Sequence, residues 1–324
     1  MLLKPSFFGG FFTSGEVRNT DGKPCTMFWW NALALIPPYK VRATNCAPAH
    51  DGLRYRHTLR YIVLTLTTLP TMPAPPAFEY AAVTDTGRVR KHNEDALAVA
   101  PACGLVVLAD GMGGYAAGEV ASDIAVSVIR DVVEQHFLHR AIVVDELWQV
   151  LVDAVLEANT AIIAAASDEP AHRGMGATLV TGLFHGDLLV LAHVGDSRAY
   201  RLRDGLLTLM TRDHSVLQEH IDAGLVTPEE ARRSNIRNLV TRALGAAPVM
   251  SVEVHEHAVE RGDVYLFCSD GLNDMLDDDA IAGILLNGTG GLERTCMDLV
   301  SAANEAGGAD NVSVVLVYVD QVIG

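Results

Sequence analysis

At 324 residues with 49% hydrophobic and 20% charged positions, the chain is long enough to bury a sizeable core in one large domain or two modest ones. Its net charge of −16 is unevenly placed: residues 1–78 hold eight Lys/Arg against three Asp/Glu, and residues 79–324 hold 16 against 37. So acidic a surface repels nucleic acid and anionic lipid, and five cysteines without C-x-x-C spacing give neither a zinc site nor a disulfide framework but fit a reducing cytoplasm.

Residues 1–71 carry two of the three Trp and five of the nine Phe, with no sustained period. Tyr61 to Pro70 is the most apolar early run. It is broken by threonines and falls far short of the ~20 apolar residues that span a bilayer. Residues 1–30 lack the basic start, apolar middle and small-residue cleavage site of a secretory signal. The expectation is a cytoplasmic protein with no membrane segment. Thr71 to Pro76 reads as a linker, since clustered prolines sustain neither helix nor ladder. Three readings of the preceding segment compete: a flexible extension, an over-extended start with Met72 as initiator, or a functional domain. The expected division is an extension and linker over 1–77 and one domain over 78–324.

From Phe78 the pattern becomes that of an α+β domain. Phe78, Tyr80 and Ala82 alternate as a strand does, and Leu105–Ala109 is an apolar strand running into Asp110. Val120, Ile124, Val128, Ile129, Val132 and Phe137 keep helical spacing, as do Leu147, Leu151, Val155, Ala158 and Ile162. Four short strands are expected at Thr178–Phe184, Leu188–Val194, Arg198–Arg203 and Leu206–Met210. Gly186-Asp187 and Asp204-Gly205 supply hairpin turns between them. A polar helix is expected from His214 to about Arg233, a buried strand over Val264–Cys268, helices near Asp279–Leu286 and Leu292–Asn304, and a last strand over Val312–Val319. Consecutive hairpins with segregated helix pairs argue for antiparallel sheets covered by helices, not a doubly wound parallel sheet.

Carboxylates recur where apolar strands end beside small residues. Asp110-Gly111-Met112-Gly113-Gly114, Ser269-Asp270-Gly271 and Gly308-Ala309-Asp310-Asn311 each do this, and Glu94-Asp95 adds a fourth acidic point. Singly, each is an ordinary turn. Gathered, such carboxylates repel one another unless cations sit among them, and oxygen-preferring ions such as magnesium or manganese answer that need. Gly111 lets a backbone carbonyl approach whatever Asp110 holds. Arg90 is the cation beside this set, and a guanidinium fork matches phosphate oxygens. Asp196, in Gly195-Asp196-Ser197-Arg198, is either a further ligand or a turn residue holding Arg198. Gly174 to Thr178 reads as small residues for close sheet packing, and His193 as a core histidine. His214 lies at a loop-to-helix junction within reach of a substrate, beside Asp213 and Ser215 as candidate helix caps. No cysteine–arginine phosphatase loop, G-x-S-x-G elbow or P-loop is present.

Taken in order, Thr84 to Gly87 with Arg90 and Asn93-Glu94-Asp95, Ala109 to Gly114, Gly176-Ala177-Thr178, Val194 to Arg198, Leu239 to Gly245, Ser269 to Leu272 and Asp310 to Ser313 resemble the motif series of the metal-dependent type 2C serine/threonine protein phosphatases, in their compact bacterial branch. The resemblance covers about Phe78 to Val319. It implies a four-layer α-β-β-α sandwich with two central antiparallel sheets flanked by helix pairs, and a manganese or magnesium pair at one end. It makes Asp110 the bridging ligand with the Gly111 carbonyl on one ion, and Asp270 and Asp310 the completion of the other. It places Glu94 and Asp95 on water around the ions, Arg90 on the phosphate, and Asp196 with Asp270 at a third metal position. Residues from about Ser215 to Leu239 fall where the family keeps its substrate flap. Met112 stands where many eukaryotic relatives have a histidine general acid, which leaves His214 or metal-bound water as proton donor. The implied protein is a monomeric phosphoserine/phosphothreonine phosphatase whose partners are a bacterial Ser/Thr kinase and its targets. A catalytically silent phosphoprotein-binding relative and a phosphatase for small metabolites or anti-sigma regulators are the alternatives.

Overall fold

The computed structural model describes residues 13–18, 24–29, 77–114, 117–139, 143–227, 230 and 239–320. The chain divides into two units, Met1–Thr68 and Leu69–Gly324. In the first, strands β1 (Thr13–Arg18) and β2 (Pro24–Trp29) pair antiparallel as one hairpin, within a segment whose sequence has no sustained period. Tyr61 to Pro70 and Thr71 to Pro76 lie outside the described residues.

Among the described residues the second unit holds two sheets, antiparallel throughout. In one, the order is β10 (Leu206–Leu209), β9 (Arg198–Arg203), β12 (Val264–Cys268), β13 (Val312–Asp320), β3 (Ala77–Asp85). In the other it is β11 (Glu253–Ala258), β8 (Leu188–Val194), β7 (Leu179–His185), β5 (Leu105–Met112), β4 (Asp95–Ala100), with β6 (Gly176–Ala177) on the end of β5. Strand periodicity sorts side chains between layers. Val106 and Leu108 of β5 face the other sheet, together with Val315, Val317 and Val319 of β13 and Tyr265 and Phe267 of β12. Leu105, Val107 and Ala109 face instead the helices α1 (Ala117–His139) and α2 (Leu147–Asp168). On the outer side of the first sheet, Val312, Val314 and Leu316 pack under α5 (Asp278–Asn287) and α6 (Leu292–Glu305). The result is the four-layer α-β-β-α sandwich, its middle pinned by Phe184, whose ring meets Tyr265 at 5.2 Å and Phe267 at 6.3 Å, both edge-on.

Two helices differ in detail from the sequence pattern. In α1 the deepest face is Ala121, Ala125, Ile129 and Val133, while Val120, Ile124, Val128, Val132 and Phe137 are only partly buried. Small side chains let the helix lie close on the sheet, so its larger apolar residues flank the contact. The polar run after His214 is helical over α3 (Val216–Asp222), capped by the Ser215 hydroxyl, which accepts the Gln218 N–H at 3.2 Å. It stops before Gly224, whose φ of +68° cannot continue a helix. Of the expected remainder, residues 228–229 and 231–233 lie outside the described residues. Among the described residues one helical stretch, Val144–Asp168, is long and apolar enough to cross a membrane. Its Leu147, Leu151, Ala154, Val155, Ala158 and Ile162 are buried against α1 and the sheet, which makes it a core helix here.

Candidate active site

Antiparallel pairing puts the end of one strand beside the start of the next, and this gathers the acidic residues. Asp95 opens β4 directly across from Asp110 near the end of β5. Asp270 opens the short helix α4 (Asp270–Asn273) just after β12, Asp310 lies two residues before β13, and Asp196 sits in the turn from β8 to β9. All five occupy the same end of the two sheets. Asp110 lies within the electrostatic reach of Asp95, Asp270, Asp196 and Asp310, and Asp270 within that of Asp196, Asp274, Asp310 and Asp95.

Burial and this crowding push the carboxyls up. Asp95 rises to about 6, first through burial and then through the charge of Asp310, against hydrogen bonds from Ser313 and Ser269 that lower it. Asp196 rises to about 7 through burial and the charge of Asp213. Asp110 and Asp270 lie well above the ordinary carboxylate range, through burial and then through Asp95 and Asp196 respectively. Oδ1 of Asp95 and Oδ1 of Asp270 are buried without a hydrogen-bond partner. A cluster of desolvated oxygens with unused lone pairs is the donor set a hard divalent cation takes. The residues present therefore fit a magnesium or manganese centre.

The backbone is fitted equally closely. A Cβ on Gly111 would lie 2.1 Å from the Gly118 carbonyl and 2.5 Å from that of Glu94, and one on Gly118 would lie 2.8 Å from Glu94 Oε1. The N-terminus of α1 thus lies against the strand ends, and only glycine permits it. The Glu94 carbonyl accepts the Gly111 N–H at 3.0 Å and the Ser122 hydroxyl at 2.6 Å.

Arg90 is not free. Its Nη2 donates to Asp310 Oδ2 at 2.6 Å, on a rim where the two side chains are 49% and 24% exposed. It is coupled electrostatically to Glu94, Asp110 and Asp310 together. Arg198 does not rest on Asp196, contrary to one of the two sequence readings. It forms a fork with Asp213, Nε to Oδ1 at 2.9 Å and Nη2 to Oδ2 at 2.7 Å, and donates to the Tyr200 hydroxyl at 3.2 Å.

His214 is withdrawn from substrate. It is buried, and its Nδ1 accepts the Gly195 N–H at 3.1 Å, so the ring proton is on Nε2, 3.1 Å from Glu253 Oε2. His193 stacks on it at 4.8 Å and donates Nε2–H to the Arg212 carbonyl at 2.9 Å. His193, His214 and Glu253 do bring ligand-type atoms within 4.8 Å of one another. With both His214 nitrogens committed and the Arg242 guanidinium 3.4 Å from Nε2, they form a hydrogen-bonded hub and not a cation cage.

The supporting hydroxyls and amide were not singled out from sequence. Ser269 donates to Asp95 Oδ2 at 2.8 Å and accepts the Ser313 N–H at 3.0 Å. Thr178 gives its N–H to the Asp110 carbonyl at 2.9 Å and shares a 2.7 Å contact with the Ser197 hydroxyl. Asn311 accepts the Glu94 N–H at 2.8 Å and donates to the carbonyls of Thr86 and His92, each at 2.9 Å. Each belongs to a quoted motif, but a Ser, Thr or Asn beside a turn carries no signal of which carboxylate it orients.

The protein phosphatase 2C family model matches residues 87–310. Serine/threonine protein phosphatase PstP of Mycobacterium tuberculosis is 41% identical over 237 residues, 73% of this chain but 44% of PstP, so the chain spans less than half of that relative. Serine/threonine phosphatase stp of Listeria monocytogenes is 35% identical over 247 residues, 73% of this chain and 94% of stp. Among solved structures, the catalytic domain of PstP in complex with two manganese ions superposes with a TM-score of 0.68 at 38% identity, over 76% of this chain and all of that one. Stp1 of Staphylococcus aureus superposes with a TM-score of 0.70 at 30% identity, over 79% of this chain and all of Stp1. The chain belongs to the protein phosphatase 2C family.

Proposed function

We propose that residues 78–324 hydrolyse phosphoserine and phosphothreonine on proteins, with manganese or magnesium bound as a pair, and that they oppose a bacterial Ser/Thr kinase. The observation carrying this reading is the desolvated cup at one end of the sheets, where Asp95, Asp110, Asp196 and Asp270 meet with a rim arginine beside them. Asp110 would hold both ions, the Gly111 carbonyl would serve one of them, Asp270 and Asp310 would complete the other, and Asp196 with Asp270 would offer a third position. Paired divalent cations supply charge neutralisation for the phosphoryl group and a water acidic enough to act as nucleophile at neutral pH. Glu94 and Asp95 would act through water around the ions. Arg90 presents its fork to two phosphoryl oxygens and holds the phosphorus in line. No covalent enzyme intermediate is required. Every acidic position of the motif series is filled, so nothing here favours a silent phosphoprotein-binding relative. We place residues 1–77 outside this domain and read the protein as a cytoplasmic monomer.

Asp110→Asn and Asp270→Asn are expected to abolish manganese-dependent hydrolysis of a phosphothreonine peptide and to remove the calorimetric manganese-binding isotherm. Activity near wild type in both variants rejects the assignment. Arg90→Ala should mainly raise KM, and an unchanged KM takes Arg90 out of the phosphate site.

A further inference from the structure

Asp196 is buried, its carboxyl takes the N–H of its own backbone, and Arg198 two positions on is engaged by Asp213. The backbone of the β8–β9 turn therefore decides where the Asp196 oxygens point. Gly195, just before it, has a φ of +107°, and a Cβ there would lie 2.6 Å from Thr178 Cβ. The turn thus packs on the residue that bonds both backbone groups of Asp110, the carbonyl at 2.9 Å and the N–H at 3.3 Å.

Three consecutive residues close on this hairpin. The Arg212 carbonyl accepts Nε2–H of His193 on β8 at 2.9 Å, and Asp213 forks Arg198 on β9. His214 takes both polar groups of Gly195: its N–H donates to the Gly195 carbonyl at 2.8 Å, and its Nδ1 accepts the Gly195 N–H at 3.1 Å. A ring nitrogen accepts only when bare, so the His214 proton sits on Nε2 and needs an acceptor there. Glu253 Oε2 supplies one from β11 at 3.1 Å; Arg242, 3.4 Å from the same nitrogen, is a donor and cannot. Burial works against a charge on Glu253, but hydrogen bonds from His255 and His214 hold its carboxyl down at about 2, which keeps the acceptor ionised at neutral pH. The His214 side chain is 1% exposed and stacked on His193. An apolar ring would fill that space; it would not engage the Gly195 N–H.

Resting on the phosphatase reading, we propose that Glu253 and His214 are positioning residues for the cation site: the carboxylate fixes the His214 tautomer, the bare Nδ1 fixes the Gly195 N–H, and the turn so held aims Asp196 at the third cation position beside Asp270. Neither side chain touches substrate or ion. Removing either one lets the turn relax, so the cation served by Asp196 binds more weakly while those on Asp110 keep their affinity.

The test uses the full chain. Ring nitrogen-15 spectra of the cation-free protein should show His214 with Nδ1 bare and Nε2 protonated. In manganese calorimetry, His214→Leu and Glu253→Ala should each weaken the weakest binding step by about 10–100-fold, the scale of lost supports of metal ligands. His214→Asn, close in shape to leucine, puts Oδ1 where Nδ1 stood and should restore most of the affinity that His214→Leu loses. Equal weakness of the leucine and asparagine variants assigns the ring to packing and overturns the proposal. A protonated Nδ1 overturns it too, as does a weakest step unchanged in both His214→Leu and Glu253→Ala. Should the His214 variants not fold, Glu253→Ala decides alone, since that side chain is 30% exposed on an edge strand. These manganese shifts in a chain that turns over neither phosphopeptide nor p-nitrophenyl phosphate keep the positioning role and overturn the phosphatase reading instead.

Discussion

Ser269 stands one position ahead of Asp270 and across the sandwich from Asp95, and its single hydroxyl serves both sheets. It donates to Asp95 Oδ2 while accepting the N–H of Ser313. Replacing it by alanine leaves a buried carboxylate with one fewer donor and a buried N–H without an acceptor. Ser269→Ala should therefore weaken manganese binding by about 10–100-fold, as lost supports of metal ligands do, with the far-ultraviolet spectrum unchanged. Unaltered manganese affinity would assign the hydroxyl to packing alone. The carboxyls themselves predict a pH signature. Asp95 at about 6 and Asp196 at about 7, with Asp110 and Asp270 also raised well out of the ordinary carboxylate range, all lie above their unfolded values near ~4. A raised group contributes stability that is present below its unfolded pKa and lost as pH climbs through its folded one. Without added cations the melting temperature should fall as pH rises from about 4 towards 7. Manganese binds the ionised form, so the rise in Tm it causes should grow over the same interval, and a constant rise would contradict the site. The carboxylates were legible in the sequence because the same placement, an aspartate beside small residues where an apolar strand meets a turn, recurs at several distant points of the chain. The hydroxyls that steer them were not, since Ser and Thr are ordinary in any turn. His214 misled for a related reason: a loop-to-helix junction says nothing about which way a ring points.

Among the elements, Gly111 and Gly118 set how closely α1 meets the ends of β4 and β5. Gly111→Ala would drive a methyl into the Gly118 carbonyl, 2.1 Å away. That contact is backbone on both sides and has no flexible end to yield. The expected cost is about 1–3 kcal/mol in urea unfolding, together with weakened manganese binding. A variant of wild-type stability and affinity would mean the helix terminus shifts freely. Strands with strong apolar runs, such as Leu188–Val194 and Val264–Cys268, were legible from periodicity with their exact bounds. Two edge strands were not. β4 reads Asp-Ala-Leu-Ala-Val-Ala, too small to mark a face, and β11 alternates Glu and His on a polar edge. Pairing with a neighbour defines both, and pairing is not written in a single segment.

For the whole molecule, the two sheets were recoverable as a class from hairpins and segregated helix pairs, but the strand order was not. The order β10-β9-β12-β13-β3 pairs strands that stand more than 200 residues apart, Ala77–Asp85 with Val312–Asp320, and no local pattern encodes such a match. Deleting residues 1–77 cuts into β3 at its first residue only, since Ala77 begins the strand and Phe78 keeps its place opposite Val319. The truncated protein starting at Phe78 should retain kcat/KM on a phosphothreonine peptide within about twofold, a change below ~0.5 kcal/mol. A large loss would make the extension part of the working enzyme.

The Ser269–Asp95 contact has a mechanical side. It joins the end of β12 to the start of β4, one strand from each sheet, at the end of the sandwich where the carboxylates crowd. At mid-sandwich Phe184, Tyr265 and Phe267 act as a hinge pin. Like charges at one end and a greasy pin at the centre make the two sheets resemble the jaws of a sprung clip. Cations closing that clip would slow amide exchange along β4, β5, β12 and β13 together, so the catalytic ions would also set the rigidity of the scaffold that holds them.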